Sequence, residues 1–202
     1  MTPSLAAWFS EERKAASAAS SACLKIGHAH ASAGKRTSLA HGKRANEKRP
    51  QRLTMKLRDY TNADFDALYA LDRICYPRGI AYTRPDLRWF LAQPGALCVV
   101  AESEGALAGF LIADRESAVA HIITIDVAPE RRRRGVGTLM IEEIERRLLA
   151  LGVSEINLET ATDNEAGTAF WQRHGYRAIG ILPGYYLGQH DAYAMQKRLK
   201  EK

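Results

Sequence analysis

Four consecutive arginines, 131–134, stand directly before Gly135 and Gly137. Forked guanidinium groups suit phosphate, and a glycine has no Cβ that would keep an anion away from the backbone. Apolar residues at helical spacing follow, so a helix is predicted to begin near Gly135. The first N–H groups of a helix have no partner inside it and lie at the positive end of the helix dipole. This stretch therefore predicts a binding site for a phosphate or diphosphate group.

Two common phosphate-binding motifs do not fit this stretch. A G-x-G-x-x-G dinucleotide fingerprint that starts at Gly135 requires a third glycine at the position of Met140. The motif G-x-x-x-x-G-K-[ST] is absent from the sequence. The pattern that is present is R-x-x-G-x-G, formed by Arg132, Gly135 and Gly137.

The elements around the arginines are predicted from their apolar patterns. The β-branched run 122–127 is typical of a buried strand, and Pro129 ends it because proline lacks a backbone donor. The helix after Gly135 is predicted to run to Gly152, with the next strand at 153–160. A strand, a helix and a second strand in this order require a parallel crossover, whereas short links elsewhere favour antiparallel neighbours. We therefore expect a mixed sheet.

The remaining elements are predicted from apolar spacing and from capping and turn residues. Further helices are expected to begin near Asn62, Thr83 and Asn164, the last of them ending near His174. Two apolar stripes are expected to be buried: Phe65, Leu68, Leu71 and Ile74 in the first helix, and Val136, Leu139, Met140, Ile144, Leu148 and Leu151 in the helix after Gly135. Predicted strands cover 55–58, 96–103, 106–115, 119–127, 176–182 and 192–198.

The net charge of +6 belongs to the first quarter of the chain. Residues 1–52 hold ten Lys or Arg against three Glu, a net charge of +7, so residues 53–202 carry −1. Nucleic acid is therefore expected as a partner only through segment 1–52. We predict a basic, Ala- and Ser-rich, disordered tail at 1–52 and one folded domain at 53–202. Three interpretations of the tail stay open: an upstream extension before a true start at Met55, a transit peptide, and a basic arm that holds the ribosome or RNA.

Cysteines and histidines do not indicate a metal site. The three cysteines are odd in number and lack metal-ligand spacing, which indicates a reducing, cytoplasmic compartment. No apolar run approaches the about 18 residues of a membrane-spanning helix, so no membrane partner is expected. The histidines after the tail are too scattered to be predicted as ligands; they are His121, His174 and His190.

Two segments carry a resemblance to a known family. The first runs from Val127 to Thr138, reads VAPERRRRGVGT, and resembles the acetyl-coenzyme A signature of the GNAT superfamily of N-acetyltransferases. The second runs from Asn164 to Tyr176, reads NEAGTAFWQRHGY, and is similar to the next helix of that superfamily. The resemblance covers residues 55–198. It implies a three-layer α/β (α+β) domain with helices on both faces of a mixed, mostly antiparallel sheet, which is splayed between the fourth and fifth strands.

The resemblance also implies acetyl-coenzyme A as cosubstrate, and no metal. Backbone N–H groups of residues 133–138 would hold the diphosphate, and the strand end 125–127 would pair with the pantetheine arm. Asn164 would face the pantetheine or the acetyl group. The implied cofactor-binding residues are Ile125, Val127, Arg132, Arg133, Arg134, Gly135, Val136, Gly137, Thr138, Asn164 and Trp171.

Glu159 is the implied general base, because the resembling enzymes place a carboxylate at this strand position. Trp171 stands where those enzymes usually carry a tyrosine that protonates the leaving thiolate, and an indole N–H is not a usable acid. Either hydrogen bonds and water assist the thiolate, or another tyrosine substitutes. Tyr185, Tyr186 and Tyr193 lie near the expected substrate loop, and Tyr186 is the candidate for a substitute acid or a substrate contact.

The segment from Gly184 to Met195, with the Leu-Glu pair that ends in Glu159, most resembles bacterial enzymes that acetylate the N-terminal alanine of a ribosomal protein. An α-amine has a pKa of about 7.7 to 8.0, so a modest base suffices. We expect an acetyl-coenzyme A-dependent N-acetyltransferase that acts on the N-terminal α-amine of a protein, such as a ribosomal protein. Two alternatives stay open: acetylation of a small-molecule amine or a lysine, and a non-catalytic module that binds acyl-coenzyme A or the ribosome.

Overall fold

The computed structural model describes residues 55–76 and 80–200. The predicted tail at 1–52, with its three interpretations, lies outside the described residues, so the start of the folded domain stays a prediction. None of the described helices is long and apolar enough to cross a membrane.

The predicted strands and helices are all present, with ends that differ from the predicted ones by a few residues. The strands are β1 (Met55–Asp59), β2 (Ala96–Ser103), β3 (Ala106–Glu116), β4 (Val119–Val127), β5 (Glu155–Ala161), β6 (Arg177–Tyr186) and β7 (His190–Arg198). The helices are α1 (Phe65–Cys75), α2 (Arg84–Leu91), α3 (Val136–Ala150) and α4 (Glu165–Arg173). Short 3-10 turns at Asn62–Asp64 and Pro129–Arg131 precede α1 and α3.

A seven-stranded sheet forms the middle layer, in the order β1-β2-β3-β4-β5-β7-β6. Its neighbouring strands are antiparallel except β4 and β5, which are parallel because α3 carries the chain back across the sheet. Helices α1 and α2 pack on one face around Leu68 and Leu87, and α3 and α4 pack on the other around Ile144 and Trp171. This confirms the predicted three-layer α/β fold with a mixed, mostly antiparallel sheet.

A β-bulge in β4 changes the face on which its side chains lie. The partners of Ile122 and Thr124 are adjacent residues of β3, so Ile123 is an extra residue in β4. Ile122 and Ile125 therefore both pack in the core beside α3, although they are three positions apart. Ile123 packs in the core beside α1. Both halves of β4 thus bury apolar side chains under α3.

Strands β4 and β5 are paired over only three residues each. Residues 119–121 pair with residues 155–157, and no pair follows among the described residues. Beyond these pairs, the end of β4 at 122–127 and the end of β5 at 158–161 separate and leave a gap. This confirms the predicted splay between the fourth and fifth strands.

Three residues that were predicted to be buried are exposed. Ile74 is 64% exposed, because Cys75 faces the sheet in its place. Leu139 and Leu151 are 40% and 48% exposed, whereas Ile141 is fully buried although the predicted stripe omitted it. The reason is that a helix buries only the stripe that faces the sheet, and its apolar residues outside that stripe stay in solvent.

Candidate active site

The arginine turn ends at Gly135, the N-cap of α3, which has a left-handed φ of +84°. Arg133 also has a positive φ, of +60°. The first hydrogen bond of α3 runs from the N–H of Leu139 to the carbonyl of Gly135 at 3.0 Å, so the N–H groups of 136–138 precede it. No acidic residue stands in the first turn of α3. The turn and the helix start, residues 133–138, therefore offer backbone donors to an anion, and we call this segment the cradle.

The two glycines of this turn have different structural reasons. Gly135 adopts a left-handed φ that costs a residue with a Cβ conformational energy. A Cβ on Gly137 would lie 3.3 Å from the ring of Phe170 and 3.8 Å from Ile125. Gly137 therefore lets α4 pack closely against the first turn of α3, and the expectation that its missing Cβ also makes room for the anion stays a prediction.

Two of the four arginines bond within the chain. Arg132 donates through Nε to the carbonyl of Val127 at 3.0 Å, and its Nη2 lies 3.4 Å from Sγ of Cys75. Arg131 forms an ion pair with Glu104 at 3.1 Å. The other two arginines of the run are exposed. The side chains of Arg131 and Arg132 are thus engaged within the chain, which leaves the backbone donors and the two exposed arginines for an anion.

The end of β4 offers a strand edge to the gap. The N–H of Ala128 donates to the carbonyl of Ala108 in β3 at 2.9 Å. Because backbone groups alternate along a strand, those of Ile125 and Val127 point away from β3 and into the gap. The carbonyl of Val127 accepts from Arg132, so the N–H groups of both residues and the carbonyl of Ile125 form the remaining edge.

Glu159 lies on β5, two residues beyond the last pair with β4. Its Oε2 accepts a hydrogen bond from the hydroxyl of Tyr185 at 2.9 Å, and Nε2 of His121 lies 2.9 Å from the same oxygen. Glu159 and His121 share one face of the sheet, since their neighbours Leu158 and Ile122 face the core beside α3. A carboxylate, an imidazole and a phenol therefore meet where the two strands separate.

A cleft of ≈ 730 Å³ opens over this group. Asp114 and Glu116 of β3 line one part of it, and Ile179 and Leu182 of β6 line another. Burial raises the pKa of Asp114 above its ordinary value. None of the described residues that line the cleft is Lys or Arg. Its charge therefore suits a cationic ligand better than an anionic one.

The sequence model of the Acetyltransferase (GNAT) family matches residues 65–176, which is more than half of the chain. The chain belongs to this family. It is an N-acetyltransferase.

Individual relatives agree with the family. An uncharacterized N-acetyltransferase of Methanocaldococcus jannaschii is 28% identical over 145 residues, which are 71% of this chain and 92% of that protein. A mycothiol acetyltransferase of Clavibacter michiganensis is also 28% identical, over 72% of this chain but only 50% of its own length. The ribosomal-protein-S18-alanine N-acetyltransferase from Escherichia coli has the same fold, with a TM-score of 0.68 and 21% identity over 74% of this chain and 96% of that one.

Asn164 is the N-cap of α4 in this acetyltransferase. Its Oδ1 accepts from the N–H of Gly167 at 3.0 Å, and the residue is buried. A Cβ on Gly167 would lie 2.4 Å from Nδ2 of Asn164, so glycine at this position allows the cap. The structure therefore gives Asn164 a structural task, while its predicted contact with the cofactor stays a prediction.

Trp171 lies in the core behind the cradle. Its side chain is fully buried, with ring centroids 5.1 Å from Phe170 and 5.2 Å from Tyr176. This position does not support the predicted direct contact between Trp171 and the cofactor. The role that we infer for Trp171 is to support α4, which in turn packs against the first turn of α3.

The tyrosine that bonds to Glu159 is Tyr185, whereas the sequence favoured its neighbour Tyr186. Tyr186 is buried against Ala161 and Ala192. Tyr185 lies in an irregular part of β6, where the pairing with β7 shifts between Leu182 and Tyr186. This bulge directs Tyr185 towards Glu159, and short-range sequence patterns do not reveal it.

His121 is the site residue that the sequence interpretation missed. It pairs with Asn157 in the parallel register of β4 and β5, which places it beside Glu159 one repeat along the same face. The signal that could have found it was a histidine in a predicted strand next to the strand of the predicted base. The wide spacing of the histidines in the sequence argued against metal binding, but it did not argue against a contact between neighbouring strands.

A pair of acidic residues, Asp72 and Asp126, lies under α1, away from the acidic residues of the cleft. Asp72 of α1 and Asp126 of β4 are both fully buried. Asp72 accepts from the N–H of Tyr82 at 2.8 Å, and Asp126 accepts from the hydroxyl of Thr124 at 3.1 Å. Burial and the nearby Asp126 raise the pKa of Asp72, and burial raises the pKa of Asp126. This pair therefore retains protons at a pH where ordinary carboxyl groups have lost them.

Proposed function

We propose that this enzyme transfers an acetyl group from acetyl-coenzyme A to the N-terminal α-amine of a protein or peptide. The observation that carries the proposal is the position of Glu159. It lies where β4 and β5 separate, it is bonded by His121 and Tyr185, and it faces an acidic cleft.

The residues of the cradle fit acetyl-coenzyme A. The backbone N–H groups of residues 133–138 would hold the diphosphate, helped by the positive end of α3. The backbone edge of Ile125 and Val127 would pair with the pantetheine arm. When bound, this cosubstrate supplies the acetyl group as a thioester.

Glu159 acts as the general base. It removes a proton from the acceptor's ammonium group, which needs only a modest base because the pKa of an α-amine is about 7.7 to 8.0. The neutral nitrogen then forms a bond to the thioester carbonyl carbon, and the bond from that carbon to sulfur breaks with its electron pair leaving on sulfur. His121 lies against the same oxygen of Glu159, so the positive charge of the proton can be shared between the carboxyl group and the imidazole. Glu159 passes this first proton to solvent, and the nitrogen, which is positively charged after its attack, loses a second proton that the departing thiolate takes up.

The charge of the cleft supports an amine acceptor. The carboxyl groups of Asp114 and Glu116 attract a cationic amine before it is deprotonated, and no described Lys or Arg in the cleft opposes it. The Escherichia coli enzyme of the same fold acts on an alanine of a ribosomal protein, which agrees with an α-amine. The proposal includes a cytoplasmic location and a ribosomal protein as the first acceptor to test; both stay predictions.

A second candidate acceptor is a small-molecule amine. The mycothiol acetyltransferase relative supports it, although the chain spans about half the length of that enzyme. A lysine side chain is a weaker candidate, because its pKa of about 10.4 requires a stronger base.

The decisive experiment compares three acceptors with the full-length protein and acetyl-coenzyme A. They are a peptide with a free N-terminal alanine, the same peptide with a blocked N-terminus and one internal lysine, and glucosamine. We expect acetylation of the free N-terminus, located by mass spectrometry, to be faster by about tenfold or more. Faster acetylation of the blocked peptide or of glucosamine would contradict the proposal.

A further inference from the structure

The C-terminal end of α4 contacts the first turn of α3. His174 is the C-cap of α4 and is half-buried. Its Nε2 lies 3.2 Å from the hydroxyl oxygen of Thr138. Thr138 belongs to the first turn of α3, whose N–H groups precede the first hydrogen bond of that helix.

A second contact fixes His174 in this place. The imidazole lies 4.6 Å from the ring of Phe170, measured between ring centroids. A Cβ on Gly137 would lie 3.3 Å from the ring of Phe170, so this ring packs closely against Gly137. One turn of α4 therefore contacts two successive residues of the cradle, Gly137 through Phe170 and Thr138 through His174.

Protonation of His174 is disfavoured in this environment. Burial is the main reason why its pKa lies below the ordinary value. The charged groups that act on the ring are Glu145 and Glu142 of α3, Lys197 of β7, and Arg173 of α4. The two acidic and two basic groups have opposing effects, so at neutral pH the ring is mainly a neutral hydrogen-bond partner of Thr138.

We infer that His174 is a positioning residue for the acyl donor: it fixes Thr138 and the first turn of α3, so that the backbone donors there are ordered before the diphosphate of coenzyme A binds. This inference rests on the acetyl-coenzyme A site proposed above. His174 acts through Thr138 and takes no part in the transfer step. Preorganised donors bind more tightly, because less conformational entropy is lost on binding.

The first test is a double-mutant cycle on the binding of coenzyme A, measured by calorimetry with the full-length protein. His174→Ala and Thr138→Val should each raise the dissociation constant by about fivefold to tenfold, the range expected for one lost hydrogen bond. The double variant should bind coenzyme A no more weakly than the weaker-binding single variant, because both substitutions remove the same contact between His174 and Thr138. An unchanged dissociation constant for His174→Ala, or single effects that multiply in the double variant, would overturn the inference.

Two further variants separate positioning from general destabilisation. His174→Gln keeps a polar nitrogen near the place of Nε2, and we expect it to recover most of the affinity lost in His174→Ala. His190→Ala is the matched control, since His190 is an exposed histidine whose side chain is near Asp163 at 3.8 Å. It should bind coenzyme A as the unchanged protein does. Failure of rescue, or an equal loss in His190→Ala, would count against His174.

Steady-state kinetics distinguish positioning from a general loss of structure, because only positioning should raise KM for acetyl-coenzyme A without lowering kcat. His174→Ala should raise KM for acetyl-coenzyme A by about the same factor as the dissociation constant, with kcat and KM for the amine nearly unchanged. A lower kcat at saturating acetyl-coenzyme A would contradict positioning. Should none of the amines be a substrate, the calorimetric cycle still decides the inference, so the two proposals fail independently.

Discussion

Two carboxyl groups on adjacent strands have opposite environments in this acetyltransferase. Asp126 on β4 and Glu159 on β5 lie on the same face of the sheet. Helix α1 covers Asp126 and brings Asp72 beside it, so that both are fully closed off from water. Glu159 lies beyond the reach of α1 and opens on the cleft, bonded by a histidine and a tyrosine. The packing of one helix, rather than the residue type, therefore separates a buried carboxyl group from the one that we propose as the general base.

The carboxyl oxygens at the two sites also differ in their hydrogen-bond partners. The Oδ1 atoms of Asp72 and Asp126 have no hydrogen-bond partner among the described residues, and burial favours the protonated form of both groups. A protonated carboxyl group in a closed site cannot accept a proton from a substrate. The carboxyl group of Glu159 has donors on one oxygen and reaches solvent through the cleft, as a general base requires.

The largest effect on activity should come from removing the carboxylate of Glu159, which opens on the cleft. Glu159→Gln keeps the shape of the side chain but cannot take a proton, so kcat for the best amine should fall by about 100-fold or more. The dissociation constant for coenzyme A should stay nearly constant. The matched control is Glu155→Gln on the same strand, which lies outside the cleft lining and should keep its activity. Equal loss in both variants, or no loss in Glu159→Gln, would break the distinction between the two carboxyl sites.

The buried pair of Asp72 and Asp126 should affect the stability of the protein and the pH dependence of that stability. The folded protein retains protons on Asp72 and Asp126 that the unfolded chain has released above the ordinary pKa of 3.8, so the free energy of unfolding should fall as pH rises from about 4 towards 8. Asp72→Asn removes one titrating group and keeps an acceptor for the N–H of Tyr82. We expect it to reduce this fall by about 1 to 3 kcal/mol.

Urea unfolding at pH 5 and pH 8 measures this difference. The control is Asp163→Asn, because the side chain of Asp163 is 70% exposed. If Asp72→Asn keeps the full pH dependence of the unchanged protein, the carboxyl pair is not the origin of the retained protons.

The smallest effect tests the phenol at the open site. Tyr185→Phe removes one hydrogen bond to Glu159 without changing the packing of the ring, so kcat should change by about fivefold. Tyr186→Phe is the control from the adjacent, buried tyrosine, and its kcat should change less. Steady-state rates with one peptide suffice for the comparison. A larger effect for Tyr186→Phe would restore the sequence-based choice of Tyr186.

Much of the fold and half of the site could be predicted from local patterns. The β-branched run of β4, the start of α3 near Gly135 and the cap at Asn164 depend on residues within a few positions of one another. Such short-range preferences survive in any fold that contains these elements. The splay between β4 and β5 and the proposed base Glu159 were predicted from the family resemblance, because no local pattern specifies where two strands separate.

The remaining features needed the tertiary structure. His121 and Glu159 are 38 residues apart in the chain, and only the parallel register of β4 and β5 brings them within 2.9 Å. Likewise, the bulge in β6 selects Tyr185 over Tyr186, although the two residues are chemically identical neighbours.

By itself, the sequence determined the cradle: a glycine that must adopt a left-handed φ, followed by a helix whose first N–H groups are unbonded within it. These are properties of the local backbone. Only the tertiary structure decided what supports the cradle, because Phe170 and His174 reach it through the packing of α4 on α3. It also decided which carboxyl group opens on the cleft, since that depends on where α1 stops covering the sheet.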